Sequence, residues 1–223
     1  MKIIYEDNHL LVVDKPVNIP VQADDSRDED LLTLLKNYLK EKYQKPGNVY
    51  LGLVHRLDRP VGGVMVFAKT SKAASRLSEQ VRTNRLHKEY LAVVQGVPEM
   101  KKGRMEDWLT KDHKTNTTTL SDAAHGKKAT LDYEVLASKD GLSLLRIDLE
   151  TGRSHQIRVQ CSSRRLPLWG DQRYNPSAHK GQQIALHACR LSFTHPTTGE
   201  TVSFDSRMPE SYPWNLFNKE LDR

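Results

Sequence analysis

Cysteine is almost missing: Cys161 and Cys189 are the only two in 223 residues, too few for a disulfide framework and without zinc-ligand spacing, so reduced thiols are expected. Long apolar runs are missing as well. The longest, such as Leu10 to Val13 and Val64 to Ala68, are strand-sized and far below the roughly 20 residues of a membrane helix. Acidic Glu6 and Asp7 come too early for a signal peptide, so a cytoplasmic protein without membrane contact is expected. Glycine (12) and proline (10) are sparse beside 37% hydrophobic and 28% charged residues, which excludes fibrous and low-complexity classes. No phosphate-binding GxxxxGK loop, GxGxxG fingerprint, HExxH pair or GxSxG elbow occurs. The nine histidines lack paired ligand spacing, with His155, His179, His187 and His195 each isolated, so no metal site is expected.

Basic charge is what the sequence has in excess. Thirty-four Lys and Arg against 28 Asp and Glu give +6, with a pI near 9.2, a balance that suits a polyanionic partner, nucleic acid foremost. The excess is local. Residues 151–182 carry Arg153, Arg158, Arg164, Arg165, Arg173 and Lys180 against Asp171 alone, whereas in residues 22–30 Asp24, Asp25, Asp28, Glu29 and Asp30 outweigh Arg27. On charge alone, a solvated face and a polyphosphate track stay equally open.

Apolar periodicity predicts a hairpin from Ile3–Tyr5 and Leu10–Val13 around Asp7-Asn8, then a helix over 28–43. Strands are expected at 49–54, 64–68 and 89–95, and a second helix over 71–84 with Thr70 or Ser71 as its cap. Alternation at 129–136 and 142–149 flanks the turn residues Asp140-Gly141. A helix from 151–154 through Ser163, strands at 184–194 and 201–204, and a short helix after Pro209 complete the chain. Pro98 to Lys127 shows little periodicity and reads as a long loop with room for one hairpin. With no repeat, linker or composition break, one domain over residues 1–223 is expected. Its class is α+β, a central, mostly antiparallel mixed sheet flanked by helices and loops.

Two segments stand out chemically. Asp58 falls in a polar loop between apolar strands, flanked by Arg56 and Arg59 and followed by Gly62-Gly63; its residue types fit either a loop salt bridge or a catalytic carboxylate. Thr151 to Arg158 (Thr-Gly-Arg-Ser-His-Gln-Ile-Arg) opens a helix with hydroxyls and two arginines, fit either for anion binding or for simple capping.

These residues also resemble a known family. His55-Arg56-Leu57-Asp58 with Gly63 and Val66 to Thr70 is similar to the HRLDxxTSGLLLFAKT motif of the RluA family of RNA pseudouridine synthases. In order, Asp14-Lys15-Pro16 resembles its KPxG segment, Lys88 to Ala92 its KxYxA strand and Thr151 to Arg158 its TGRxHQIR motif. Pro167 to Asp171 with Tyr174 resembles its PIxGDxxY turn, and Leu186-His187-Ala188 with His195-Pro196 its LHA and HP pair. The likeness spans about Ile3 to Met208, nearly the whole chain.

The resemblance implies an isomerase that detaches uracil from its ribose, rotates it and reattaches it through carbon 5, without metal or redox cofactor. Asp58 becomes the catalytic carboxylate, Arg158 the ion-pair partner that holds it, and Tyr90 the ring stacked on the target uracil. Arg56 reaches into the RNA to help expel the nucleotide, while Lys15, Arg153 and His155 are RNA-contacting or structural. Lys101, Lys102, Arg104, Lys111, Lys114, Lys127 and Lys128 are further candidate phosphate contacts. The expected partner is ribosomal or transfer RNA, bound by a monomer whose chain starts directly at the catalytic domain, without the N-terminal RNA-binding module of many members. The rival readings are a catalytically inactive RNA-binding protein on the same fold and a metal-dependent RNA phosphodiesterase. Departures from the pattern are Val61-Gly62-Gly63 for TSG, Asn18 for the KPxG glycine, Gln160 for a histidine, and Arg164-Arg165 in a usually apolar stretch; the last two suggest altered RNA contact.

Overall fold

The computed structural model describes residues 2–24 and 26–220; Asp25 of the acidic run lies outside the described residues. The chain forms two compact units, each built from two segments: Met1–His87 with Arg190–Ser206, and Lys88–Cys189 with Arg207–Arg223.

In the first unit, β1 (Lys2–Glu6) and β2 (Leu10–Lys15) form the expected antiparallel hairpin. Asp7 closes its turn, one carboxylate oxygen accepting from the backbone of His9 at 2.7 Å and Leu10 at 2.6 Å. β2 pairs antiparallel with β4 (Gly62–Ala68), from Leu10 opposite Ala68 to Lys15 opposite Gly63. β4 is buried along its whole length, which is why it reads as a continuous apolar run rather than an alternation. The strand expected over 49–54 contracts to β3 (Gly52–Leu53) at the end of β4. Val49 and Leu51 are buried outside any strand, so their apolar character reflects packing, not pairing.

The helix expected over 28–43 is α1 (Leu31–Lys42), capped by Asp30, whose carboxylate accepts from Thr33 N at 3.0 Å. α2 (Ser71–Arg82) starts with Thr70, the Ala73 amide donating to its hydroxyl at 3.2 Å. Within this unit, β11 (Thr201–Asp205) pairs antiparallel with Arg190–Thr194 of β10 (Leu186–Thr194). Leu10, Val12, Val64, Val66, Leu77, Leu191 and Phe193 form its core.

The second unit carries five strands in the order β5 (His87–Gln95), β9 (Leu142–Leu149), β8 (Lys127–Lys139), β6 (Lys102–Asp112) and β7 (Thr117–Ser121). All four neighbouring pairs are antiparallel. β8 and β9 turn at Asp140-Gly141, with φ of 53° and 75°, the twist a tight hairpin favours. The stretch expected as a loop is therefore largely β6 and β7. Its inward positions 103, 105, 107, 109 and 111 do alternate, but they are Gly, Met, Asp, Leu and Lys, so charged residues occupy two of the five. Asp107 is held there by Gln160 Nε2 at 2.6 Å and Arg164 Nη1 at 2.8 Å.

α3 (Gln156–Ser163) begins later than expected, after His155 in a left-handed conformation with no side-chain cap. The Thr151 hydroxyl instead accepts from Thr130 N and donates to Gln156 Oε1, both at 2.8 Å. A 3-10 helix, Trp214–Glu220, stands where a short helix was expected after Pro209. Trp214 and Phe217 pack with Leu91, Val93, Leu142, Leu144 and Ala185. The antiparallel pairs above with three α-helices among the described residues make the architecture α+β. No helix among the described residues is long and apolar enough to cross a membrane.

Candidate active site

Asp58 stands on the loop joining β3 to β4, half-buried, with Leu57 turned inward and Arg56 and Arg59 exposed. Short-range bonds shape this loop. The Val61 amide donates to Asp58 O at 2.9 Å, closing a turn, and the Val66 amide donates to His55 Nε2 at 3.1 Å, anchoring the start. Gly63 follows with φ of 122°, a region that side chains do not tolerate, so the final glycine of the motif is kept for backbone reasons. Asn18 has φ of 65° and fills the KPxG glycine position as expected of the residue best suited to replace glycine there.

Lys15 is the main support of the loop. It is 1% exposed, and its ammonium donates to Pro16 O at 3.0 Å, Arg59 O at 3.0 Å and Val61 O at 2.8 Å. Burial pulls its pKa down to about 8; the Asp58 carboxylate opposes the drop and the Arg59 cation adds to it. Buried in this way, its ammonium is turned to backbone carbonyls rather than to the surface. Arg59 points outward and meets the acidic run, at 3.0 Å from Ser26 Oγ, 3.9 Å from Asp24 and in an ion pair with Asp28.

The second unit positions Tyr90 and Arg158. Tyr90, in β5 opposite Ile147, is 6% exposed. Arg158, in the first turn of α3, is equally buried, and its Nε and Nη2 each donate to one carboxylate oxygen of Asp171 at 2.8 Å. The Tyr174 ring covers the guanidinium at 5.1 Å. The Tyr174 hydroxyl accepts from Thr118 N at 2.8 Å and lies 2.7 Å from His155 Nδ1; burial raises its pKa. His155 is thus buried beside Tyr174, whereas Arg153 is exposed, its Nε donating to Lys128 O at 2.9 Å. Gly152 leaves room for the Lys88 ammonium, 3.1 Å from where a Cβ would stand. Burial depresses the Lys88 pKa and the nearby Arg153 cation adds to this, against Asp148.

Sequence reasoning quoted Asp171 and Tyr174 as parts of a motif but gave them no role; the GDxxY spacing was the signal. Gln160 is fully buried, its amide on Asp107 and Ala129 O, and the exposed Arg164 is tied to Asp107. Lys102 pairs with Glu134, Lys128 with Glu106, and Arg104 with Glu106, Asp132 and Glu150, all in exposed surface pairs. Among the described residues, no group of three or more His, Cys, Asp or Glu side chains is placed to hold a metal ion.

The profile of the RNA pseudouridylate synthase family matches residues 9–163, a span that includes Asp58, Tyr90 and Arg158. The chain belongs to this family, as its motifs led one to expect. Ribosomal large subunit pseudouridine synthase D of Zymomonas mobilis is 35% identical over 223 aligned residues, covering 94% of this chain and 70% of that protein. The uncharacterized RNA pseudouridine synthase YhcT of Bacillus subtilis is 34% identical, covering 94% of this chain and 69% of that one. The chain spans between 59% and 73% of the length of such relatives. Human RNA pseudouridylate synthase domain containing 4 shares the fold, with a TM-score of 0.79 at 23% identity over 99% of this chain and 92% of that one.

Proposed function

We propose that this RNA pseudouridine synthase acts on uridine in ribosomal RNA, with Asp58 as its catalytic carboxylate. The relatives named for the large ribosomal subunit support that substrate over transfer RNA. The reaction breaks the bond from ribose C1′ to uracil N1, turns the base and joins C1′ to C5, whose proton then leaves for N1 or solvent. An ionised aspartate serves it either as a nucleophile or as a base at the ribose. In this reading Arg158 is the cation paired with Asp58, Tyr90 stacks on the uracil, and exposed Arg56 helps extrude the nucleotide. Arg153 and Lys88 form a basic pair suited to a phosphate. His155 orients this segment through Tyr174. The working form proposed is a single catalytic domain, monomeric and cytoplasmic.

One observation carries the reading: the backbone just after Asp58 is fixed, with Arg59 O and Val61 O accepting from Lys15 and the Val61 amide returning to Asp58 O, while the residue is not fully buried. The test uses RNA from cells lacking the protein, restored with wild type or Asp58→Asn and mapped for pseudouridine by carbodiimide treatment and primer extension. Stops that need wild-type protein are expected; RNA binding with no responsive site would favour the inactive RNA-binding protein instead.

A further inference from the structure

Two cations of the second unit stand together with no acid to answer them. Lys88 lies near the start of β5, half-buried, on the same face as Tyr90 two residues on. Glu89 pairs with Asp148 across the β5–β9 ladder, so these two acids point to the opposite face. Gly152 has no side chain, and the Lys88 ammonium fills the gap, 3.1 Å from where a Cβ would stand. The next residue, Arg153, is exposed, and its Nε donates to Lys128 O at 2.9 Å, which leaves the N–H groups of both Nη atoms uncommitted. Burial lowers the Lys88 pKa and the Arg153 cation lowers it further, with Asp148 opposing both. Among the described residues neither cation has a carboxylate within ion-pair distance, whereas Lys102, Arg104, Lys128 and Arg146 of the same sheet all do. Like charges held this close repel each other, and a shared anion relieves that repulsion.

We propose that Lys88 and Arg153 share one phosphate of the RNA strand, the phosphate next to the base that meets Tyr90, and that the missing side chain of Gly152 creates this subsite. The proposal rests on Tyr90 facing the target uracil. Residues two apart on a strand are roughly 6.6 Å from each other, the scale on which a nucleotide separates its base from its phosphate. The ammonium supplies a compact point charge and the guanidinium a planar pair of donors, so the two can hold different oxygens of one phosphate. Any side chain at position 152 would push the ammonium out of its gap. Gly152 therefore determines the fit of the subsite, although it offers the RNA no group of its own.

The experiment measures binding of in-vitro transcribed large-subunit ribosomal RNA across a salt series, and tritium release from the same RNA labelled at uracil C5. Wild type, Lys88→Met, Arg153→Met, the double variant, Gly152→Ala, Asp58→Asn and Lys139→Met, the last at an exposed position at the end of β8, are compared where circular dichroism shows each folded. Each single Met variant at 88 and 153 is expected to bind more weakly, and the double variant to lose about 0.7 in the slope of log affinity against log salt, the value for one single-stranded phosphate. A loss of about 1.4 would mean two separate phosphates and overturns the shared subsite. The double variant should raise KM about tenfold with kcat within about twofold, as expected for a contact held equally in ground and transition states. Gly152→Ala keeps both charges and should still lower affinity by about threefold or more, a loss that general surface charge does not predict. An unchanged slope in the double variant, an equal fall in Lys139→Met, or wild-type affinity in Gly152→Ala overturns the proposal. If Lys88→Met does not fold, Arg153→Met and Gly152→Ala decide together. Inactive Asp58→Asn beside unaltered binding by the Lys88 and Arg153 variants refutes only the subsite, whereas active Asp58→Asn with the expected slopes refutes the catalytic reading and leaves the subsite standing.

Discussion

Arg158 and Asp171 face each other edge to edge in the interior of the second unit, two parallel N–H···O bonds of 2.8 Å joining a guanidinium to a carboxylate with no exposed side-chain surface. Such fork-to-fork pairs fix orientation as well as distance. Tyr174 adds a lid over one guanidinium face. The plane of Arg158 is thus set before any substrate arrives.

Removing the carboxylate exposes how much depends on it. Asp171→Ala should lower stability by about 3–5 kcal/mol, the usual penalty for stripping one partner from a buried pair, as measured by urea unfolding. Asp171→Asn should fold better but still lose kcat, because the amide cannot offer two acceptors to Nε and Nη2. Wild-type kcat in a folded Asp171→Asn would show that Arg158 needs no such alignment.

The Tyr174 hydroxyl serves both Thr118 N and His155 Nδ1. Tyr174→Phe keeps the ring over Arg158 and deletes only the oxygen, leaving a buried amide unmet. The expected loss is about 1–3 kcal/mol in denaturant unfolding, together with a shifted titration of the His155 imidazole in NMR.

Glu6 gives the first unit its acid sensitivity. Burial alone would raise its pKa, but donors from Lys42, Lys69, Tyr43 and Tyr38 outweigh that and hold it at about 2, against an ordinary 4.5. A depressed carboxylate stabilises the fold above its unfolded pKa and loses that contribution as pH falls through the folded value. Stability should therefore decline between about pH 5 and 2, by about 2–3 kcal/mol from this group. Glu6→Gln should flatten that part of the pH–stability curve and lower the plateau near neutrality.

RNA binding should weaken steeply with salt. Arg56, exposed and adjacent to the Asp58 turn, should contribute one phosphate contact, so Arg56→Ala should reduce the slope of log affinity against log salt by about 0.7 to 0.9. Arg104→Ala should leave the slope unchanged, because its guanidinium is already engaged by Asp132 and Glu150. A larger effect for Arg104 than for Arg56 would reverse the placement of the RNA track.

The motif residues were legible from sequence because their spacing is short and their types are unusual together: Asp58 between two arginines, Arg158 closing an eight-residue run. Strands β8 and β9 were equally plain, their turn being written in Asp140-Gly141. β6 was hidden because Asp107 and Lys111 take inward positions that periodicity reserves for apolar side chains. Asp107 is tolerated there only because Gln160 of α3 and Arg164 just after it arrive more than 50 residues later. The burial of Lys15 left no trace either, since its partners are carbonyls, which every residue has. Long-range polar satisfaction is a property of the folded chain, and composition does not record it.

Each unit is assembled from segments far apart in the chain, and this has a consequence during synthesis. Leu191 and Phe193 belong to the core of the first unit, yet the ribosome must make all of Lys88–Cys189 before either emerges. At about 5–20 residues per second, those roughly 100 residues correspond to about 5–20 s in which the apolar faces of β2 and β4 wait for their last neighbours. Through that interval the nascent N-terminal unit presents sticky strands to the cell, and a chaperone has its natural opportunity there.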